Sequence, residues 1–142
     1  MKTSNFKLLT ILIAMTLFIG TFTSCSNDDE SNVNITVNEG PSGDIGGDFT
    51  GKGGNGSRTI TWTNNLTTAD YNADITATAS GIFQIVVADA NGTVVLNRSL
   101  NGNTDPDSID GVTSVGKPGK WTVTITLTSF KGDGSYSLSA GN

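Results

Sequence analysis

Histidine is missing from this chain altogether, and cysteine occurs once. Without an imidazole there is no Ser-His-Asp or Cys-His nucleophile pair. Zinc sites built on His or on several Cys are excluded as well. One thiol cannot close an internal disulfide, so the fold must rest on packing alone. Basic residues are few, 8 Lys+Arg against 13 Asp+Glu, for a pI near 4.3. A surface of that sign has no general attraction for phosphate backbones, and no nucleic-acid partner is expected. Charged residues are only 15% and aromatics 7%, which excludes a coiled coil and an aromatic-rich recognition platform. Proline, at 3 residues, is scarce, whereas Gly reaches 18.

The one long apolar run lies at the start. Lys2 and Lys7 precede Leu8–Gly20, LLTILIAMTLFIG, and the first acidic residue is Asp28. A charged opening, a short apolar stretch and small residues behind it form a secretory signal, predicted to span residues 1–24. The run is too short for a membrane-spanning helix, which needs about 20 apolar residues. Cys25 follows directly, in Phe22-Thr-Ser-Cys25. This resembles a bacterial lipobox, with Phe22 in place of the commoner Leu. The resemblance implies that Cys25 becomes the first mature residue and carries a diacylglycerol. One acyl chain holds a protein to a membrane only marginally, and two or three hold it stably.

Residues 25–31 then form a short acidic tether. Ser26, Asp28, Asp29 and Glu30 resemble the export signal that follows the lipidated Cys in surface lipoproteins of the Bacteroidota. That resemblance implies a place on the outer membrane, lipid-anchored and facing outward. Removing a leader that carries Lys2 and Lys7 shifts the formal charge from −5 to −7.

From residue 32 to 142 an apolar period of two dominates, the signature of half-buried strands. In Trp121–Thr128, Trp121, Val123, Ile125 and Leu127 alternate with Thr122, Thr124, Thr126 and Thr128. Thr59, Thr61 and Thr63 alternate with Ile60 and Trp62 in the same way, and Val33, Ile35 and Val37 mark another strand. Ala73, Ile75, Ala77 and Ala79 suggest a strand with small inward residues. Ile82–Ala88 is a more uniformly apolar, central strand, Thr93–Leu100 follows it, and Tyr136 and Leu138 define a short last strand. Asp89-Ala-Asn-Gly92 and Lys131-Gly-Asp-Gly134 read as hairpin turns, since Asn and Gly tolerate positive φ. Lys117-Pro-Gly-Lys120 is a turn that launches the Trp121 strand. The Gly-rich segment 40–58 is expected to be a long loop or hinge. No stretch sustains a helical period. The fold class is therefore all-β, an antiparallel β-sandwich, Ig-like or jelly roll.

From Arg58 to Ala140 the pattern resembles the sandwich domain of the bacterial pre-peptidase C-terminal type. The residues that carry the likeness are GIFQIVVADANGTVV and DSIDGVTSVGKPGKWTVTITLTSFKGDGSYSL. That family is a non-catalytic appendage of secreted enzymes, so the resemblance implies a free-standing, lipid-anchored version here.

Asn103–Asp110 is the segment richest in ligating groups. Asp105, Asp107 and Asp110 are candidate oxygen ligands for a structural Ca²⁺, which takes six to eight of them. Ca²⁺ is the one cofactor the sequence suggests. Asp107-Ser-Ile109 resembles the short motif at which exported Bacteroidota proteins are O-glycosylated, making Ser108 a candidate acceptor. Trp62, Trp121, Tyr71 and Tyr136 are the rings that could stack on a sugar. Trp62 and Trp121 fall on apolar strand faces and belong to the core, which leaves Tyr71 as the ring expected at the surface. No Glu follows Glu39, and a glycosidase needs two carboxylates facing across a cleft. No enzyme is expected. The sequence points to a non-catalytic, lipid-anchored surface protein with a protein partner in a larger outer-membrane or secretion complex. The alternative is a carbohydrate- or calcium-binding module that captures ligand at the cell surface.

Overall fold

The computed structural model describes residues 32–141. The leader, Cys25, and Ser26, Asp28, Asp29 and Glu30 of the tether lie outside the described residues.

Eight strands and no helix make up the described chain: β1 (Val33–Ile35), β2 (Asn38–Glu39), β3 (Ile45–Asn64), β4 (Ala69–Ile75), β5 (Ser80–Ala88), β6 (Val94–Asn101), β7 (Ser108–Val112) and β8 (Gly119–Ala140). All pairings are antiparallel. β3 and β8 pair with each other from Ile45↔Leu138 through to Asn64↔Gly119. This two-stranded ribbon is folded in half, so each long strand serves both layers of a β-sandwich. In the first layer the order is β6, β5, the first half of β8, the second half of β3. In the second it is β7, β4, the second half of β8, the first half of β3, with β1 and β2 on the far edge.

The fold in the ribbon can be read from parity. Along β8 the buried positions are Trp121, Val123, Ile125 and Leu127, then Phe130, Tyr136 and Leu138. Odd numbers give way to even ones between Leu127 and Phe130. Along β3, Ile45 and Phe49 give way to Ile60, Trp62 and Asn64. Register shifts occur at the same level on β3, at Lys52/Gly54 and Gly54/Gly56. Each bulge absorbs an odd residue, so one continuous face stays inward while the strand turns the corner. Gly53, at φ 100°, and Ser129, at φ 47°, supply the left-handed backbone that this turn needs.

The segment 40–58, expected as a loop, is a loop only up to Asp44; from Ile45 it is strand. Its glycines do not loosen it. A Cβ on Gly51 would run into the Phe130 carbonyl, and one on Gly54 would lie 2.6 Å from the Asn32 Cβ. Glycine is present because neighbouring chains pass that close at the corner. Lys131–Gly134, expected as a hairpin turn, likewise runs straight on inside β8, held by β3 along one side and by Ser80 and Ile75 at its two ends on the other. The Trp121 strand and the Tyr136 strand are one strand of 22 residues. β4 stops at Ile75, so Ala77 and Ala79 belong to the turn that follows. The Asp89–Gly92 hairpin forms as the sequence indicates, whereas Lys117–Lys120 is only a bend at Pro118 that passes into β8 at Gly119. Asp89 accepts N–H bonds from Asn91 (2.9 Å), Thr93 (2.8 Å) and Lys117 (2.8 Å), and so ties the hairpin to the start of β8.

Rings fill the space between the layers. Phe49 stacks on Phe83 across the sandwich at 4.5 Å and meets Phe130 edge-on at 5.4 Å. It also covers Gly134, its partner on β8. Trp62 and Trp121 pack edge-to-face at 6.1 Å toward the opposite end. Their indole N–H groups donate to the Gly43 and Lys117 carbonyls. The described chain enters at the corner, where Lys52 N–H donates to Asn32 O.

Candidate functional site

Three surfaces hold polar side chains in a fixed arrangement. The first is a cavity of about 310 Å³ between the β6–β7 loop and the turn after β4. Asn103, Thr104, Asp105, Asp107, Thr76 and Ile75 line it. Asp105 and Asp107 are thus neighbours. Asp110 is not with them: β7 carries it onto a sheet face, opposite Asn72. Among the described residues no group of three His, Cys, Asp or Glu side chains could hold a metal ion. The proposed Ca²⁺ trio is therefore not assembled. Ser108 opens β7, exposed, opposite Asp74.

The second surface is the outer face of the second layer. Its rows are Asp48–Ser135–Asp74–Ser108 and Gly46–Ser137–Asn72–Asp110, with Asp70 and Asp133 beside them. Carboxylates recur throughout this face, and it carries much of the negative charge of the chain.

The third is the outer face of the first layer, and it is different in kind. Register sets Ser57–Thr126–Gln84–Ser99 in one row across four strands. The next row is Thr59–Thr124–Val86–Asn97, and Thr61–Thr122–Ala88 follows. No charged residue stands in these three rows; Lys120, opposite Thr63, follows them on the same face. Their polar groups are ordered by one another. Ser57 Oγ lies 3.2 Å from Thr126 Oγ1 and Thr59 Oγ1 lies 3.3 Å from Thr124 Oγ1, while Gln84 Nε2 donates to Asn97 Oδ1 at 2.9 Å. β-Branched Thr has few rotamers, so the hydroxyls hold their directions at little entropic cost. Each hydroxyl keeps lone pairs free, and each amide keeps an N–H or a carbonyl free.

The two faces differ because inward positions are fixed by the apolar alternation, while the outward ones are Thr and Ser in one layer and Asp and Ser in the other. On the inner side of the first layer, the row Arg58–Ile125–Ile85–Arg98 ends in a cation at each edge strand. Arg58 donates to the Ile35 carbonyl, closing the gap between layers at that edge.

Tyr71, expected at the surface, is only 7% exposed. It alternates with Ala69, Ala73 and Ile75, and Gly111 leaves room for its hydroxyl. Every Phe, Trp and Tyr among the described residues is buried. The described surface therefore presents hydroxyl, amide, carboxylate and aliphatic groups and no aromatic ring. The sequence reading missed the polar face as a unit. Its Thr alternation was plain, but the alignment with Gln84, Asn97 and Ser99 depends on register.

No family model matches the chain, and no curated protein matches it significantly. Among solved structures, the carbohydrate-binding module TmCBM61, in complex with β-1,4-galactotriose, superposes with a TM-score of 0.41 at 10% identity, covering 80% of this chain and 85% of that one. A family 11 carbohydrate-binding module from Clostridium thermocellum, in complex with a β-1,3-1,4-mixed-linked tetrasaccharide, gives 0.37 at 11% identity, covering 77% and 82%. Likeness of this degree says nothing about what the present chain binds.

Proposed function

We propose that this protein is a non-catalytic module that binds uncharged glycan on the outer face of its first layer, held at the outer-membrane surface by lipid on Cys25. One observation carries the reading: adjacent rows of hydroxyl and amide groups, free of charge, two of them ordered by their own hydrogen bonds. Such an array matches a ligand that is itself rich in hydroxyls and neutral. Anionic ligands find no cation within these rows, Lys120 standing past their end opposite Thr63, and cationic ones would go to the carboxylates of the opposite face. The half-buried Val86 and Ala88 provide the apolar contact that the C–H face of a sugar ring needs.

The absence of His from the sequence leaves the hydroxyls of this face without an imidazole base to activate them. Binding, not turnover, is the chemistry it can do. An accessory role in a membrane complex is compatible with this reading, the module bringing glycan to its partners.

Glycan-array binding by the purified protein, with Thr59→Val, Thr124→Val and Thr126→Val combined, is the test. Valine keeps the shape and strand preference of threonine and removes the hydroxyl. A neutral hydrogen bond is worth roughly 0.5–1.5 kcal/mol net, so losing three should weaken binding by about tenfold or more. Unchanged binding by the triple variant would place the ligand elsewhere. Anchoring is tested separately: Cys25→Ala should abolish acyl labelling and release the protein from membranes.

A further inference from the structure

We infer that the ligand of this face is an extended, β-linked neutral polysaccharide lying across the four strands, bound at internal segments and not by its ends. The inference rests on the glycan-binding reading above and adds the shape and direction of the ligand.

Direction follows from spacing. Along one strand, outward side chains recur about every 6.6–6.8 Å, while neighbouring strands are about 4.8 Å apart. A chain crossing the strands therefore meets a polar side chain about every 4.8 Å. That step is close to the advance per residue of an extended β-linked hexopyranose chain. An α-linked chain coils away from a surface of this length. In the row Ser57–Thr126–Gln84–Ser99 every strand contributes a hydrogen-bonding group. Three inter-strand steps cover roughly 14 Å, so about three sugar residues span the row. The neighbouring row supplies Thr59, Thr124 and Asn97 alongside, with Val86 beneath the ring faces.

Both ends of the row are open. β6 pairs only with β5, and the second half of β3 pairs only with β8. These are the edges of the layer, and no strand rises beyond either one to stop the chain. A polymer can enter over the β3 edge and leave over the β6 edge. A monosaccharide, by contrast, can engage only one step of the row and has no pocket to enclose it.

The test is titration calorimetry of the purified protein with monomer-to-hexamer series of β-1,4-linked glucose, mannose and xylose, which are extended, and of α-1,4-linked glucose as comparison. Affinity for at least one β-linked series should rise about tenfold or more from monomer to trimer or tetramer and then level off. Gln84→Ala and Thr126→Val should each lower the plateau and flatten the length dependence. Thr76→Val, in the loop cavity, should leave both unchanged. Affinity independent of chain length, or a preference for the α-linked series, would overturn this inference and leave glycan binding standing. Absence of binding to every series and to the glycan array would remove both.

Discussion

Replacing Phe49 by alanine probes the meeting of the two layers more directly than any other single change. Phe49 has no exposed surface and stands on the first half of β3, in the second layer. Its ring stacks on Phe83 at an interplanar angle of 10° and meets Phe130 at 66°. It also roofs Gly134, whose backbone would otherwise lose its cover. Truncating a buried Phe costs about 3–5 kcal/mol through lost transfer and the cavity left behind. Two ring contacts and a Gly left bare put Phe49→Ala at about 4 kcal/mol. Small domains are stable by only about 5–15 kcal/mol, so the variant should be close to the edge of folding. Urea unfolding followed by the fluorescence of Trp62 and Trp121 gives the loss, with the slope against urea unchanged. A double-mutant cycle of Phe49→Leu and Phe83→Leu should show a coupling of about 0.5–1.5 kcal/mol. A loss under about 1 kcal/mol for Phe49→Ala, or strict additivity in the cycle, would refute this packing of the layers.

Other perturbations test separate parts of the structure. Gly53→Ala adds a Cβ that meets nothing within 4 Å, so its cost is backbone strain alone. About 1–3 kcal/mol is expected by urea unfolding, and a neutral result would contradict a left-handed corner at this position. The bond from Lys117 N–H, followed by those from Thr93 and Asn91, holds the Asp89 carboxyl below its ordinary value of 3.8 despite partial opposition from desolvation. Its contribution to stability is therefore complete well above pH 3.8 and is lost as pH falls through the lower folded value. Asp89→Asn should flatten the acid limb of a stability–pH curve; an unchanged limb would show that other carboxylates set it. Arg98→Val removes the exposed charge of the β6 edge, where such charges oppose strand-to-strand association. Sedimentation velocity should then show concentration-dependent self-association, and a strictly monomeric variant would show that the edge is guarded by something else.

The layout of strands could be read from the sequence wherever alternation was strict. Trp121–Thr128 and Thr59–Thr63 show their inward and outward sets residue by residue, and Asp89–Gly92 shows its turn. The corner could not be read. Glycine at Gly51, Gly53, Gly54 and Gly56 gives the same local signal whether the chain is a mobile loop or a strand squeezed by its neighbours. Only the packed partners, Phe130 and Asn32, distinguish the two. Lys131–Gly134 was misleading for the same reason, since its glycines serve a crowded strand interior. Tyr71 lies two residues before Ala73, so the same period of two carries it inward. The acidic loop held a real cavity, but strand β7 separates Asp110 from Asp105 and Asp107. As for the candidate site, its hydroxyls were visible as Thr ladders. That they form a continuous, uncharged surface with Gln84, Asn97 and Ser99 follows from the pairing of distant segments, which no local pattern contains.

Amide chemical-shift mapping by NMR, during titration with the tightest-binding oligosaccharide of the β-linked panel, addresses the central claim most directly. Shifts should concentrate on Ser57, Thr59, Gln84, Asn97, Thr124 and Thr126, across all four strands of the first layer. Shifts confined to the Asn103–Asp107 loop and Thr76, or to the carboxylate-bearing face of β4 and β7, would contradict it.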